Sequence, residues 1–401
     1  MTQVSHKHSG WHLALKSAFV LAFLVIFMSS FAQARVAKWI KEQTPIAITE
    51  LLMTPGDHQA FIDVITAPST KSIKMSMFHL SDPDVISALV SVAQKAVDVQ
   101  IILDRGHFSS ASTLAIAQQL VAAGAKVKAS SPVFNITHTK YMLVNDDDWF
   151  VTSINLTTEA ATTLDLGVRG NDLDIFKEIL SVFMMDFANG DADLQKVATE
   201  VTTGPRPMPP TDLSPFTPPL NDSHLVWSPT DSAQKIIDLI HSAQHTLILT
   251  VENLKYQTIQ DELVAAVARG VQVQVVVPQV DMNPDANFNL DALLAMQNVK
   301  VNGKIISVPS RMMPGPASVD TPYVHLKMIA ADGENIYIGS ENFTFNSLMA
   351  SRELGIIFAN KTIAAKINEI FQKVWKVSVE PKPKPYAKTN EDDVPNCSAL
   401  F

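Results

Sequence analysis

The 401-residue chain has one cysteine, Cys397. A single thiol excludes an intramolecular disulfide and any zinc site built from several cysteines. Close to the chain end, it reads as an exposed tail residue. No cluster with metal-ligand spacing stands out elsewhere, so a chemistry without metal is expected. An excess of basic residues is also missing. Lys and Arg number 31 against 40 Asp and Glu, a formal charge of −9. An acidic protein gains no overall attraction to nucleic acid or to anionic lipid surfaces. A local basic cleft stays compatible with that balance. The N-terminal apolar run, Ala18 to Met28, is short of the ~20 residues that a membrane span needs.

What is present is ample apolar content, 47%, enough for buried cores. The length exceeds one typical domain, so two domains or an internal duplication is expected. Lys7 and Lys16 precede the apolar run, and Ala32-Gln33-Ala34 follows it as a small-x-small site. This reads as a secretory signal over residues 1–34, with an uncleaved N-terminal anchor as the alternative. The expected location is exported, periplasmic or secreted.

Strand and helix patterns alternate from Asp57 onward. Asp57 to Ala67 is helical and Ser72 to Leu80 is a strand. Ser81-Asp82-Pro83 opens a helix through Val97. Val99 to Leu103 is a strand, Ala111 to Ala123 a helix, and Lys126 to Ala129 a short strand. Such alternation predicts an α/β fold with a largely parallel sheet. The order then repeats. Thr246 to Leu254 matches Ser72 to Leu80, and VQVQVVV (271–277) matches VDVQIIL (97–103), both at an offset of 174. Between the halves, Thr202 to Ser223 holds seven prolines, which forbid regular structure and predict an extended linker. The Asn360 to Val377 stretch reads as a core-packing helix, and the residues after Val379 as a disordered tail.

The polar residues concentrate in one pattern, present twice. His325, Lys327 and Asp332 have the spacing H-x-K-x-x-x-x-D, followed by Gly339-Ser340-Glu341-Asn342 and Glu353. His138, Lys140, Ser153 and Asn155 recur as His325, Lys327, Ser340 and Asn342 at a constant offset of 187. Asn145 replaces Asp332, Thr152 replaces Gly339, and Asp165 matches Glu353 one residue out of register. Asp332-Gly333 reads as a two-residue hairpin turn, which would set His325 opposite Ser340. The motif offset is larger than the strand offset, so the second half carries an insertion. Pro278 to Asn287 and Pro309 to Val319 are the loops that could hold it.

Imidazole, ammonium, hydroxyl and carboxamide groups on one patch suit an anionic phosphodiester. Two lysines and two asparagines can hold its free oxygens. Two histidines in opposite protonation states can divide nucleophile and acid duties. A carboxylate behind each histidine fixes its tautomer, and Glu353 and Asp165 are the candidates. One half supplies one histidine, so the halves must face each other.

On these motifs the chain resembles a two-motif member of the phospholipase D superfamily, which includes phospholipases D, cardiolipin synthases and some nucleases. The resemblance covers most of residues 45–378. It implies two α/β lobes, residues 35–201 and 223–378, facing each other across one active-site cleft. The linker is 202–222 and the tail 379–401. It further implies a phosphohistidine intermediate, with His138 as nucleophile and His325 as general acid. The expected catalytic set is His138, Lys140, His325, Lys327, Asp332, Glu353 and Asp165, Asp332 being mainly a turn residue. Ser153, Asn155, Ser340 and Asn342 are expected at the phosphate. Thr152 is expected to crowd backbone near it. Glu252 resembles a family position near the cleft and is read as lining, while His79 and His224 are read as incidental. No cofactor or metal is expected, and a monomer with a phospholipid substrate and transient membrane-surface contact is. The open alternatives are a nuclease, a cardiolipin synthase-like transferase and a non-catalytic binding protein.

Overall fold

A computed structural model of the chain describes residues 45–203, 218, 223–279, 288–315 and 322–382. The expected leader, most of the proline-rich linker, most of the first candidate loop, residues 316–319 of the second and the tail from 383 lie outside the described residues. The second candidate loop is not wholly irregular, since it contains the strand Ser310–Met313.

The first lobe forms seven strands: β1 (Ile48–Thr54), β2 (Ser72–Met77), β3 (Asp98–Leu103), β4 (Lys126–Ala129), β5 (Lys140–Val144), β6 (Asp148–Thr152) and β7 (Thr163–Gly170). The second forms β8 (Leu225–Ser228), β9 (Thr246–Thr250), β10 (Gln272–Pro278), the small hairpin β11 (Val299–Val301) and β12 (Lys304–Ile306), β13 (Ser310–Met313), β14 (Tyr323–Val324), β15 (Met328–Ala331), β16 (Asn335–Gly339) and β17 (Glu353–Ala359). Sheet order is β1-β7-β6-β5-β2-β3-β4 in one lobe and β13-β10-β9-β15-β16-β17-β8 in the other. Read from opposite ends these are the same topology, so the duplication legible at offsets 174 and 187 is a duplication of fold.

Each sheet is mixed rather than largely parallel. Within each lobe's described strands the parallel pairs are those among β2, β3 and β4 and among β9, β10 and β13. The motif strands return through tight turns, and a short turn can join only antiparallel neighbours. Helix signals transferred well. Asp82 caps Pro83–Gln94 by accepting from the Asp84 and Val85 amides at 2.9 and 3.0 Å. That helix stops short of the expected Val97, with Ala96 at φ 65°. Lys361–Val377 buries Ile363, Ile367, Phe371 and Val374, with Ile370 partly buried against the same core, as expected of a core-packing helix.

Side chains alternate by face with the period of two that strands impose. Tyr141, Leu143, Trp149, Val151, Ile336, Ile338, Leu354 and Ile356 belong to one inner core shared by both sheets. Met142, Val144 and Phe150 point instead into the outer core of the first lobe, and Tyr337 and Ile357 into that of the second. The two sheets therefore meet face to face over a common apolar layer. The motif residues emerge at the edge of that layer.

The hairpin register differs by one from the expectation. Ala331 pairs with Asn335 and Met328 with Ile338. Three residues, Asp332 to Glu334, form the turn, with Asp332 and Gly333 in the left-handed region at φ 53° and 64°. Continuing that register puts Lys327 beside Gly339 and His325 level with Glu341, not Ser340. The first lobe has the same three-residue register, with Val144 paired to Asp148, but only Asn145, at φ 54°, is left-handed there.

Candidate active site

Each histidine is delivered by one lobe and fixed by the other. The amides of His325 and Leu326 donate to the Leu164 carbonyl at 3.1 and 3.0 Å, and β14 pairs with β7 across the lobes. The His138 amide donates to the Arg352 carbonyl at 2.8 Å, while the Arg352 amide donates to the Ile136 carbonyl at 2.9 Å. The side chains cross in the same way. His138 Nδ1 lies 2.7 Å from Glu353 Oε2 of the second lobe. His325 Nδ1 lies 2.8 Å from Asp165 Oδ1 of the first. Both carboxylates are almost fully buried, and both imidazoles keep a small exposed edge. With Nδ1 donating to a carboxylate, Nε2 is left as the reactive nitrogen.

The carboxylates are themselves held. Ser153 Oγ donates to Asp165 Oδ1 at 2.5 Å, and Ser347 Oγ to Glu353 Oε1 at 2.5 Å. Ser340 is wholly buried, its carbonyl 3.1 Å from His138 Nδ1 and its hydroxyl accepting from the Leu354 amide. Ser153 and Ser340 were expected at the phosphate. Buried behind the histidines, they fix the carboxylate–histidine pairs instead. Ser347 was not singled out in the sequence, since nothing in spacing marks it.

Lys140 and Lys327 are buried side chains that donate to the carbonyls of their own histidines, His138 and His325, at 2.7 and 2.5 Å. Burial, and then the nearby Lys327 charge, lower Lys140 to about 7. Burial also drives His138 well below its usual value, reinforced by Lys140, Lys327 and His325. Its partner Glu353 is raised by burial to about 7 against the attraction of Lys140. The first shift favours a neutral imidazole near neutrality, while the second leaves the Glu353 carboxyl partly protonated there, so the Nδ1 contact strengthens as Glu353 ionises.

The asparagines differ. Asn342 donates to Glu252 Oε2 at 3.1 Å and accepts from the Asn253 amide. Asn155 has a buried Oδ1 with no hydrogen-bond partner among the described residues. Glu252 was read as mere lining, yet its Oε2 lies 3.1 Å from Lys327 Nζ and 3.5 Å from His325 Nε2, and its Oε1 accepts from the Tyr323 hydroxyl at 3.1 Å. The offset of 174 pairs it with Phe78, and that asymmetry was the signal available in the sequence.

Asp332 stands apart from this chemistry, at the far end of β15. Its carboxylate accepts from the Gln244, His245 and Thr246 amides. Asn145 accepts from Lys71 and Ser72 in the equivalent place. Asp332 is therefore a hairpin anchor rather than a catalytic group, and Asn serves equally. Asp332→Asn should leave kcat within about twofold of native and cost under ~1 kcal/mol in urea unfolding, one amide contact's worth. A large loss of kcat with unchanged stability would return it to the catalytic set.

Thr152 does not crowd the cleft. Its hydroxyl accepts from the Ile154 amide at 2.6 Å, and its side chain fills the space that Gly167 opens opposite. At Gly339 a Cβ would fall 2.5 Å from both the Tyr337 hydroxyl and Glu341 Oε2. The second lobe buries that tyrosine–carboxyl pair, bonded at 2.6 Å, where the first has Phe150 and Ile154. So glycine is required in one copy only. Burial, with the Glu353 charge nearby, raises Glu341 well above the carboxylate range. Lone His79 and His224 are not in the constellation: His79 stacks on His107, and His224 bonds the Ile357 carbonyl.

Two matched strand–loop–strand units, crossed through their histidines, describe a duplicated phosphodiester-type site. Residues 61–186 and 236–375 match the family described as cardiolipin synthase, PLD-like domain. The chain belongs to the phospholipase D superfamily. Over 126 residues it is 31% identical to the virion nicking-joining enzyme of Monkeypox virus, covering 31% of this chain and 26% of that protein. Phospholipase D Z of Dictyostelium discoideum is 31% identical over 119 residues, 29% of this chain and 25% of that one. The chain thus matches about a quarter of the length of these curated relatives. Among solved structures of the superfamily's fold, the phosphatidylserine synthase of Haemophilus influenzae Rd KW20 superposes with a TM-score of 0.63 at 13% identity. That match covers 86% of this chain and 91% of that one, and shows the two-lobed fold.

Proposed function

We propose that this superfamily member is a phosphodiesterase that hydrolyses or transfers phospholipid headgroups through a phosphohistidine. The observation that carries the reading is the crossed pair of carboxylate–histidine contacts at one lobe boundary. His138 Nε2 attacks phosphorus, and the bond to the leaving oxygen breaks. His325, protonated, gives its Nε2 proton to that oxygen. Neutral His325 then takes a proton from water or an acceptor alcohol, whose oxygen attacks phosphorus. The P–N bond breaks and both histidines return to their starting states. Lys140, Lys327, Asn155 and Asn342 hold the non-bridging oxygens. Export and transient contact with a membrane surface are parts of the same proposal. No helix among the described residues is long and apolar enough to cross a membrane.

A nuclease is the second reading, favoured by similarity to the nicking-joining enzyme. The charge of −9 weighs against it, because phosphate neutralisation dominates nucleic-acid affinity. Purified protein should release headgroups from mixed phosphatidylcholine, phosphatidylethanolamine and phosphatidylglycerol vesicles, or exchange them for added ethanol. Activity should persist in chelator, because two buried lysines neutralise the phosphate. Plasmid cleavage with intact lipids would establish the nuclease, and inertness to both would favour a binding protein.

A further inference from the structure

The two half-sites match in histidine, lysine, serine, asparagine and carboxylate, but not at the residue just beyond β2 and β9. There the first lobe carries Phe78 and the second, at the offset of 174, carries Glu252. Phe78 packs edge-on to the His138 ring at 4.4 Å between centroids, with Lys140 Nζ 4.8 Å from its own centroid. Glu252 faces His325 Nε2 at 3.5 Å and Lys327 at 3.1 Å. We propose that this unmatched pair sets the direction of the reaction: Glu252 holds His325 as the charged proton donor, and Phe78 holds His138 as the neutral nucleophile. The proposal rests on the phosphodiesterase reading above.

The two rings differ in the charges they meet. His325 meets two carboxylates, Asp165 on Nδ1 and Glu252 on Nε2, with Lys327 beside it and Lys140 and His138 across the cleft. His138 touches one, Glu353, and faces Lys140, Lys327 and His325, with the Glu252 charge acting on it only from beyond contact distance. Its other neighbour is an aromatic ring, which displaces water and offers no anion. Opposite charge within about 4–6 Å favours the protonated imidazole, and desolvation disfavours it. Burial works against a charge on Glu252, but Lys327, His325 and the Asn342 amide hold its carboxyl well below the usual range. It stays anionic and keeps its contact with Lys327 while His325 gives up its proton. At 3.5 Å the Glu252–Nε2 contact is a charge contact, longer than a good hydrogen bond, so the Nε2 proton remains available to a leaving oxygen.

Glu252→Gln tests this with two readouts. Loss of the proton donor should slow a short-chain phospholipid by ~100-fold in kcat/KM, the lower end of a general acid's contribution, and a nitrophenyl phosphodiester by less than ~3-fold. The alkaline limb of the lipid rate profile should move to lower pH. Glu252→Asp should restore most of the lipid rate. The second readout needs no turnover. Diethyl pyrocarbonate modifies neutral imidazole, so peptide mass mapping should find His138 modified faster than His325 in native protein. In Glu252→Gln the His325 rate should rise severalfold and the His138 rate, which Glu252 influences without touching the ring, should rise less. Equal losses on both substrates with unchanged modification of His325 would overturn the proposal. Native protein inert to both substrates, with the modification contrast intact, would overturn the phosphodiesterase reading and leave the charge asymmetry standing.

Discussion

Replacing His325 with alanine should produce a protein that attacks but does not finish. With a nitrophenyl phosphodiester, whose leaving group needs no proton, His138 should still be phosphorylated. The adduct should then accumulate, because nothing remains to deprotonate the incoming water. Rapid quench and mass spectrometry should find the added mass on the peptide carrying His138. With an unactivated phospholipid the first step also needs the acid, so its rate should fall by ~10²–10⁴, the usual worth of a general acid. His138→Ala should form no adduct with either substrate. The roles assigned from the superfamily resemblance have independent support in the fold. Burial holds His138 neutral, as a nucleophile requires, and the Glu353 contact at 2.7 Å directs its lone pair through Nε2. The native rate should be bell-shaped in pH, with both limbs belonging to the coupled set rather than to single residues. Lys140 and Glu353, both shifted to about 7, lie within that set. An adduct on His325 in His138→Ala would reverse the assignment.

The sequence disclosed this site wherever chemistry is carried by spacing within one copy of a repeat. His138, Lys140, His325 and Lys327 were legible because strand alternation and a fixed offset of 187 place them alike. Asp165 and Glu353 were legible as carboxylates but not as crossed partners, since that depends on how two lobes dock. The hairpin register was missed by one because a left-handed Asp-Gly pair supports a third turn residue as readily as a two-residue loop. Asp332 belongs to the motif yet reads mainly as a turn residue, and its three amide contacts are those of a hairpin anchor. Ser153 and Ser340 looked like phosphate ligands because hydroxyls near histidines often are. Their burial turned them to the carboxylates. Glu341 and Tyr337 were invisible as a pair, because only the second lobe's outer core brings them together.

Arg352 shows how far the site depends on contacts between lobes. Its side chain is fully buried, just ahead of β17, and its guanidinium lies 2.9 Å from Asp186 in the first lobe's helix Leu173–Asn189. Its planar face covers Phe134 at 4.2 Å, and its backbone brackets His138 through Ile136 and the His138 amide. A buried pair of this kind adds little over apolar packing, yet removing one partner is costly, since the other charge stays in a low dielectric. Asp186→Ala should therefore destabilise the protein by about 3–5 kcal/mol, read as a lower urea midpoint. Asp186→Asn keeps an acceptor and should cost less, about 1–3 kcal/mol. Joint replacement, Asp186→Leu with Arg352→Met, should recover much of the loss because no unpaired charge remains. Activity should not recover with it. The guanidinium rests on Phe134, one short step along the chain from His138, so the double variant should keep a lower kcat at native-like stability. An Asp186→Ala midpoint within ~1 kcal/mol of native would show that the charge is already balanced elsewhere. Full activity in the stable double variant would show that the segment carrying His138 is positioned without it.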